Sequence, residues 1–214
     1  VEDIRKRQAD IISAAQQLQF AGFDGIQLSI CNNFYLSKFI NPYYNQREDN
    51  YGGNLFNRSR LVLELVKVMK DNLDLHISCK INTFDERKNG FNSTESFKAC
   101  KLLEKVGVDS LQLTRPLSPL YFTNKVSGED ELIDYTSKLI DSVDIPVIVG
   151  GGFNDMIHMN ELLNSTNIEF MSMYRPFVAK EDFLNNWKIN GEGKSKCLKC
   201  NNCYRTKTST CYHY

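Results

Sequence analysis

The sequence predicts an α/β chain built on a parallel sheet, and three observations carry that expectation. Stretches of strand length alternate with stretches of helical period along the chain. Hydrophobic residues make up 42% of 214 positions, enough for one ordinary domain with a real core. No unbroken apolar run approaches the roughly 20 residues needed to span a bilayer.

The elements follow in order. Ile4, Ile11, Ile12, Ala15, Leu18 and Ala21 recur with approximately helical spacing, and Gly22 follows as a helix stop. Gly25 to Ile30 alternates as a strand does. A second helix is expected from Asn57 to Asn72 and a second strand from His76 to Asn82. Ser93-Thr94-Glu95 resembles a helix start, with Ser93 as cap and Ser96 where a capping-box glutamate would stand. That helix stops at Gly107, and Asp109 to Thr114 is the third strand. Further on, helices are expected at Leu132 to Val143, Asp155 to Leu163 and Glu181 to Trp187, with strands at Pro146 to Val149 and Phe170 to Met173. A polar linker runs from Asn190 to Lys196. Five strands alternating with helices indicate right-handed βαβ units. Periodicity fits a barrel and a doubly wound open sheet equally, and the loops must choose between them.

Charge excludes some functions. Lys+Arg and Asp+Glu both total 26, so no basic field attracts nucleic acid or an anionic membrane. The stretch VEDIRKRQAD is charged and lacks the apolar core of a signal peptide. A soluble, cytoplasmic chain with no nucleic-acid and no membrane partner is expected.

The seven cysteines fall into two groups. Cys31, Cys79 and Cys100 sit in apolar stretches and read as buried, inert thiols. Cys197, Cys200, Cys203 and Cys211 crowd the last eighteen residues, and in an intracellular chain that crowding suggests zinc or an iron–sulfur cluster before disulfides. The plainer alternative is a tail of free thiols. His76, His158 and His213 share no spacing that suggests chemistry.

The loop after the first strand carries the most specific signal. It places Ser29, Asn32, Phe34, Leu36, Phe39, Pro42, Asn45, Arg47, Asp49, Tyr51, Gly52 and Gly53 in one register, followed by Asn57-Arg58. Later come Ile77-Ser-Cys-Lys80-Ile-Asn82, Asn89-Gly90-Phe91, Val106-Gly107-Val108-Asp109, Pro146-Val-Ile-Val-Gly150-Gly151-Gly152-Phe153 and Tyr174-Arg175-Pro176-Phe177. These segments, in this order, resemble the old yellow enzyme family of flavin-dependent oxidoreductases. The resemblance covers essentially the whole chain but only the part of that family's barrel from the third helix onward.

The resemblance implies a (β/α)8 barrel fold, incomplete here at about five C-terminal βα units over residues 1–190, with a cysteine-rich tail at 191–214. It implies FMN as cofactor, NAD(P)H as reductant and a small-molecule acceptor. Gly150, Gly151, Gly152 and Arg175 match the FMN phosphate site, where glycines let backbone N–H groups approach closely. Tyr174 stands where the family usually has Gly or Ala, and could crowd the phosphate unless it turns outward. Lys80, near the end of its strand, matches the cation beside the flavin. Ser29 and Asn32 hold the places of a His-x-x-His/Asn pair that binds the acceptor's oxygen; Ser29 departs from it. Phe34 stands where many members carry a proton-donating Tyr. Arg47, Asp49, Tyr51 and Gly53 read as framework, with a buried ion pair and a tight turn. The tail resembles that of the 2,4-dienoyl-CoA reductase branch, which places a [4Fe–4S] cluster on the four cysteines. The expected function is hydride transfer through flavin, with this chain as part of the active unit. It would be completed by a second copy or by a complementary N-terminal part of the barrel. The alternative is a truncated, non-catalytic paralogue.

Overall fold

The computed structural model describes residues 1–85, 87–115, 129–191, 193–205 and 208–213. Five strands form one sheet: β1 (Gly25–Ile30), β2 (His76–Asn82), β3 (Ser110–Thr114), β4 (Val147–Gly150) and β5 (Phe170–Ser172). All four pairings are parallel, and the spatial order is the chain order. A doubly wound sheet reverses its strand order at a switch point. The sequential order here is that of a barrel wall.

Eight helices lie among the described residues: α1 (Glu2–Phe20), α2 (Tyr35–Ile40), α3 (Leu55–Asn72), α4 (Ser93–Lys105), α5 (Glu129–Ile140), α6 (Met156–Ser165), α7 (Arg175–Ala179) and α8 (Phe183–Asn190). A 3-10 turn follows at Asn202–Arg205. Three differ in kind from the sequence-based expectation. The six-residue α2 lies inside the loop after β1, too short for a period to show. The helix expected at Glu181 to Trp187 is α8, and the five-residue α7 stands before it where no helix is expected. The α4 cap is Asn92 and not Ser93: Asn92 has the extended backbone of a cap, and its side chain accepts from Glu95 N.

Side chains alternate across the sheet. Ile77, Cys79, Ile81, Leu111, Leu113 and Val149 are fully buried on one face. The first five pack with Leu61, Val62, Leu65, Val66 and Met69 of α3 in the main core. A second cluster gathers Leu132, Val149, Phe153, Met156, Met159, Ile168 and Phe183 around the segment that follows β4. The opposite face is polar. Gln27 donates to Gln112 Oε1 (2.9 Å) and to Ser78 Oγ (3.3 Å), and Gln112 donates to Ser172 Oγ (2.7 Å). This ladder crosses the sheet from β1 to β5. Among the described residues no helix is long and apolar enough to cross a membrane.

Candidate functional site at the strand ends

The C-terminal ends of the strands are where parallel barrels place their chemistry. A cavity of about 400 Å³ opens there, and its walls include Asn32, Lys80, Gln112, Gly150, Gly151, Gly152, Ser172, Tyr174, Arg175, Asn201 and Tyr204. A larger cavity of about 740 Å³ between α4 and α5 shares only Arg115 with it and carries neither the glycine loop nor Lys80. The smaller one is the candidate site, because the expected chemistry converges on it.

The long β1–α3 loop is organised by Arg58. This guanidinium is buried at 5% exposure, donates to Ile40 O (2.8 Å) and Gly53 O (2.6 Å), and pairs with Glu95. Asn45 ties the same loop by donating to Phe39 O (2.6 Å) and Tyr51 O (2.7 Å). A Cβ on Gly52 would fall 1.9 Å from Arg47 O, so the turn admits no side chain there. The Arg47–Asp49 pair is bidentate, at 3.0 and 2.5 Å, but its side chains are 38% and 32% exposed. The expected buried pair therefore lies at the surface, because Arg58 occupies the loop's interior. The Arg47 hydrogen bond, helped by the Tyr51 N–H, holds the Asp49 carboxyl down at about 2.

Asn32 and Asn33 follow β1 with φ of +56° and +61°. Asparagine is among the few residues that visit this left-handed region readily. The turn brings Asn32 to the cavity wall. Ser29 is opposite Lys80 in register, but its hydroxyl lies 3.4 Å from Cys31 Sγ and it is not part of the cavity wall. Burial raises the pKa of the Cys31 thiol, against smaller lowering effects of Ser29 and Lys80. Phe34 and Tyr35 are exposed at the start of α2, and Tyr35 packs edge-on against Phe39. Lys80 is half-buried and lines the cavity.

The glycine loop fits an anionic group closely approached by backbone. A Cβ on Gly150 would fall 2.4 Å from Ser172 Oγ and 3.2 Å from Gln112 Nε2. Gly151 and Gly152 have φ of +157° and +91°. Arg175, the first residue of α7, stands over the loop, its Nη2 3.5 Å from where a Gly152 Cβ would be. Tyr174 is half-exposed and stacks on Tyr204, with ring centroids 5.9 Å apart and an interplanar angle of 17°.

Cys203 is buried and Cys197, Cys200 and Cys211 are partly exposed. Burial raises the pKa of the Cys203 thiol, with Cys197 and Cys200 adding to the effect and Arg175 opposing it. Among the described residues no three His, Cys, Asp or Glu side chains are grouped as metal ligands.

Of the wall residues named above, four escaped the sequence reading: Gln112, Ser172, Asn201 and Tyr204. The first two belong to strands whose alternating polar positions look like a solvent face, and the parallel strand order places them beside the glycine loop on the cavity wall.

A barrel wall in strand order whose strand ends gather a glycine loop, an arginine and a lysine in one cavity defines a barrel-type α/β class. The chain belongs to the NADH:flavin oxidoreductase / NADH oxidase family, whose model matches residues 1–192. It is 27% identical over 208 residues to a metal reductase of Desulforamulus reducens, covering 94% of this chain and 31% of that protein. It is 25% identical over 208 residues to an NADH oxidase of Thermoanaerobacter brockii, covering 94% and 32%. Among solved structures, 2-naphthoyl-CoA reductase superposes with a TM-score of 0.78 at 20% identity, covering 94% of this chain and 31% of that one. Morphinone reductase gives 0.73 at 20%, covering 91% and 51%. The chain thus spans about a third of the metal reductase and the NADH oxidase it matches.

Proposed function

We propose that this chain forms one side of the active site of an FMN-dependent NAD(P)H oxidoreductase that reduces a small organic acceptor. The observation that carries the reading is the single cavity that unites Asn32, Lys80, Gly150–Gly152 and Arg175, residues drawn from the ends of four strands. When bound, FMN would supply hydride transfer between the nicotinamide and the acceptor. Gly150, Gly151, Gly152 and Arg175 hold its phosphate, with the Tyr174 ring beside them. Lys80 places a fixed cation on the wall and favours a bound group that carries or gains negative charge. Asn32 offers its amide N–H to the acceptor's oxygen, while Ser29 stays against Cys31 off the cavity wall.

The outer edges of β1 and β5 pair with no other described strand. A second copy or a complementary part of the barrel completing these edges is part of the proposal. The four cysteines Cys197, Cys200, Cys203 and Cys211 are proposed on spacing as the ligands of a [4Fe–4S] cluster, or of zinc.

The test is spectroscopic. The purified chain is mixed with FMN, its visible spectrum recorded, and NADH or NADPH added without oxygen. Flavin bands that shift on binding and bleach with either nucleotide are expected. Failure to bind or to bleach overturns the reading. A second reading, a flavin-binding chain without alkene reduction, is favoured by Ser29 facing Cys31 and by the ring of Phe34, which has no acidic proton to donate. Bleached flavin that oxygen reoxidises but an activated alkene does not would select it.

A further inference from the structure

We infer that Asn201, within the cysteine segment, is a positioning residue for Arg175, and that this segment is the third wall of the phosphate site. The inference rests on the flavin reading above. Asn201 Oδ1 accepts from Arg175 Nη1 at 2.5 Å, and Lys199 O lies 3.5 Å from the same nitrogen. One edge of the guanidinium is thereby anchored while Nη2 stays over the glycine loop. Lys199 and Asn201 have φ of +56° and +60°, on either side of Cys200. These two left-handed residues form the turn that presents both acceptors to Arg175. A neutral amide suits the task, because a carboxylate there would neutralise the charge meant for a phosphate.

The same segment grips the other arm of the cradle. Ser195 N donates to Asn154 O (2.7 Å), Met156 N to Gly193 O (2.7 Å), and Asn154 Nδ2 to Cys197 O (3.1 Å). Tyr204 and Asn201 both line the cavity. The cysteine segment therefore bridges the glycine arm and the arginine arm.

The test compares FMN with riboflavin, which lacks only the phosphate, in fluorescence-quenching titrations of the full chain. The unaltered chain should bind FMN more tightly than riboflavin, and Arg175→Ala should abolish that preference. Asn201→Gly removes the amide while keeping a residue that adopts positive φ freely. It should cut the preference for FMN about tenfold, the scale of a lost hydrogen bond to a charged group, and leave riboflavin unchanged. Asn201→Asp should cut it further by pairing with Arg175. If Asn201→Gly keeps the preference that Arg175→Ala loses, or weakens both flavins equally, the positioning role is wrong and the flavin reading stands. If the unaltered chain does not distinguish the two flavins, the phosphate reading itself fails.

Discussion

The absence of a methyl group at residue 150 has a definite consequence. Gln112 Nε2 reaches Ser172 Oγ from β3 to β5, across β4. Gly150 lies beneath that bond, and a Cβ there would stand 2.4 Å from the serine oxygen. Gly150→Ala should therefore destabilise the chain by about 1–3 kcal/mol, the range for overpacking. Adding Ser172→Ala should recover part of the loss, so the two changes should be non-additive in thermal melts. Additive losses would show that the bridge and the glycine are unrelated. The glycine itself was legible in the sequence, as part of Gly150-Gly151-Gly152. The bridge was not, because it joins residues sixty positions apart through a strand that belongs to neither. Lys80 and Asn32 came from the family resemblance, and both lie on the cavity wall. Asn201 was not legible, since its partner Arg175 is 26 residues away and its own neighbours are all cysteine-loop residues.

Among the elements, α4 illustrates how a boundary is decided. A serine and an asparagine stand next to each other, and either can cap. Asn92 wins because its backbone is extended, at φ −97° and ψ 169°, which leaves Ser93 to enter the first turn. Asn92→Ala should cost about 1 kcal/mol in urea unfolding, whereas Ser93→Ala should be near neutral. Equal losses would place the cap elsewhere. Glu95, at the third helical position, reaches sideways to Arg58 instead of back to the cap. One glutamate thus fastens α4 to the start of α3, an arrangement that a local capping pattern does not contain. The five strands were all legible within a residue or so, because buried alternation and flanking turns agree. The short helices α2 and α7 were not, since six and five residues hold less than two turns.

For the molecule as a whole, acid is the informative perturbant. The Asp49 carboxyl is held at about 2, chiefly by the Arg47 hydrogen bond. Burial pushes the Asp109 carboxyl up, but the Ile77 N–H and Lys70 outweigh it, and the net direction is down. Both groups then bind fewer protons folded than unfolded through the acid range. Their stabilisation is complete above the ordinary carboxylate range and is lost as pH falls from about 4 toward 2. Urea midpoints should therefore decline across that window, and Asp49→Asn should make the decline shallower. An unchanged slope would mean that the surface pair adds nothing.

The contact between Arg175 and Asn201 has an implication for how such a chain is divided. The match to the family's model ends at residue 192, yet the oxygen that accepts from Arg175 Nη1 lies nine residues later. A chain trimmed at residue 192 would keep Arg175 and lose the Asn201 amide oxygen that accepts from it. The stretch matched by the family's model and the hydrogen bonds of its own arginine thus have different boundaries, and the interval between them is the cysteine segment.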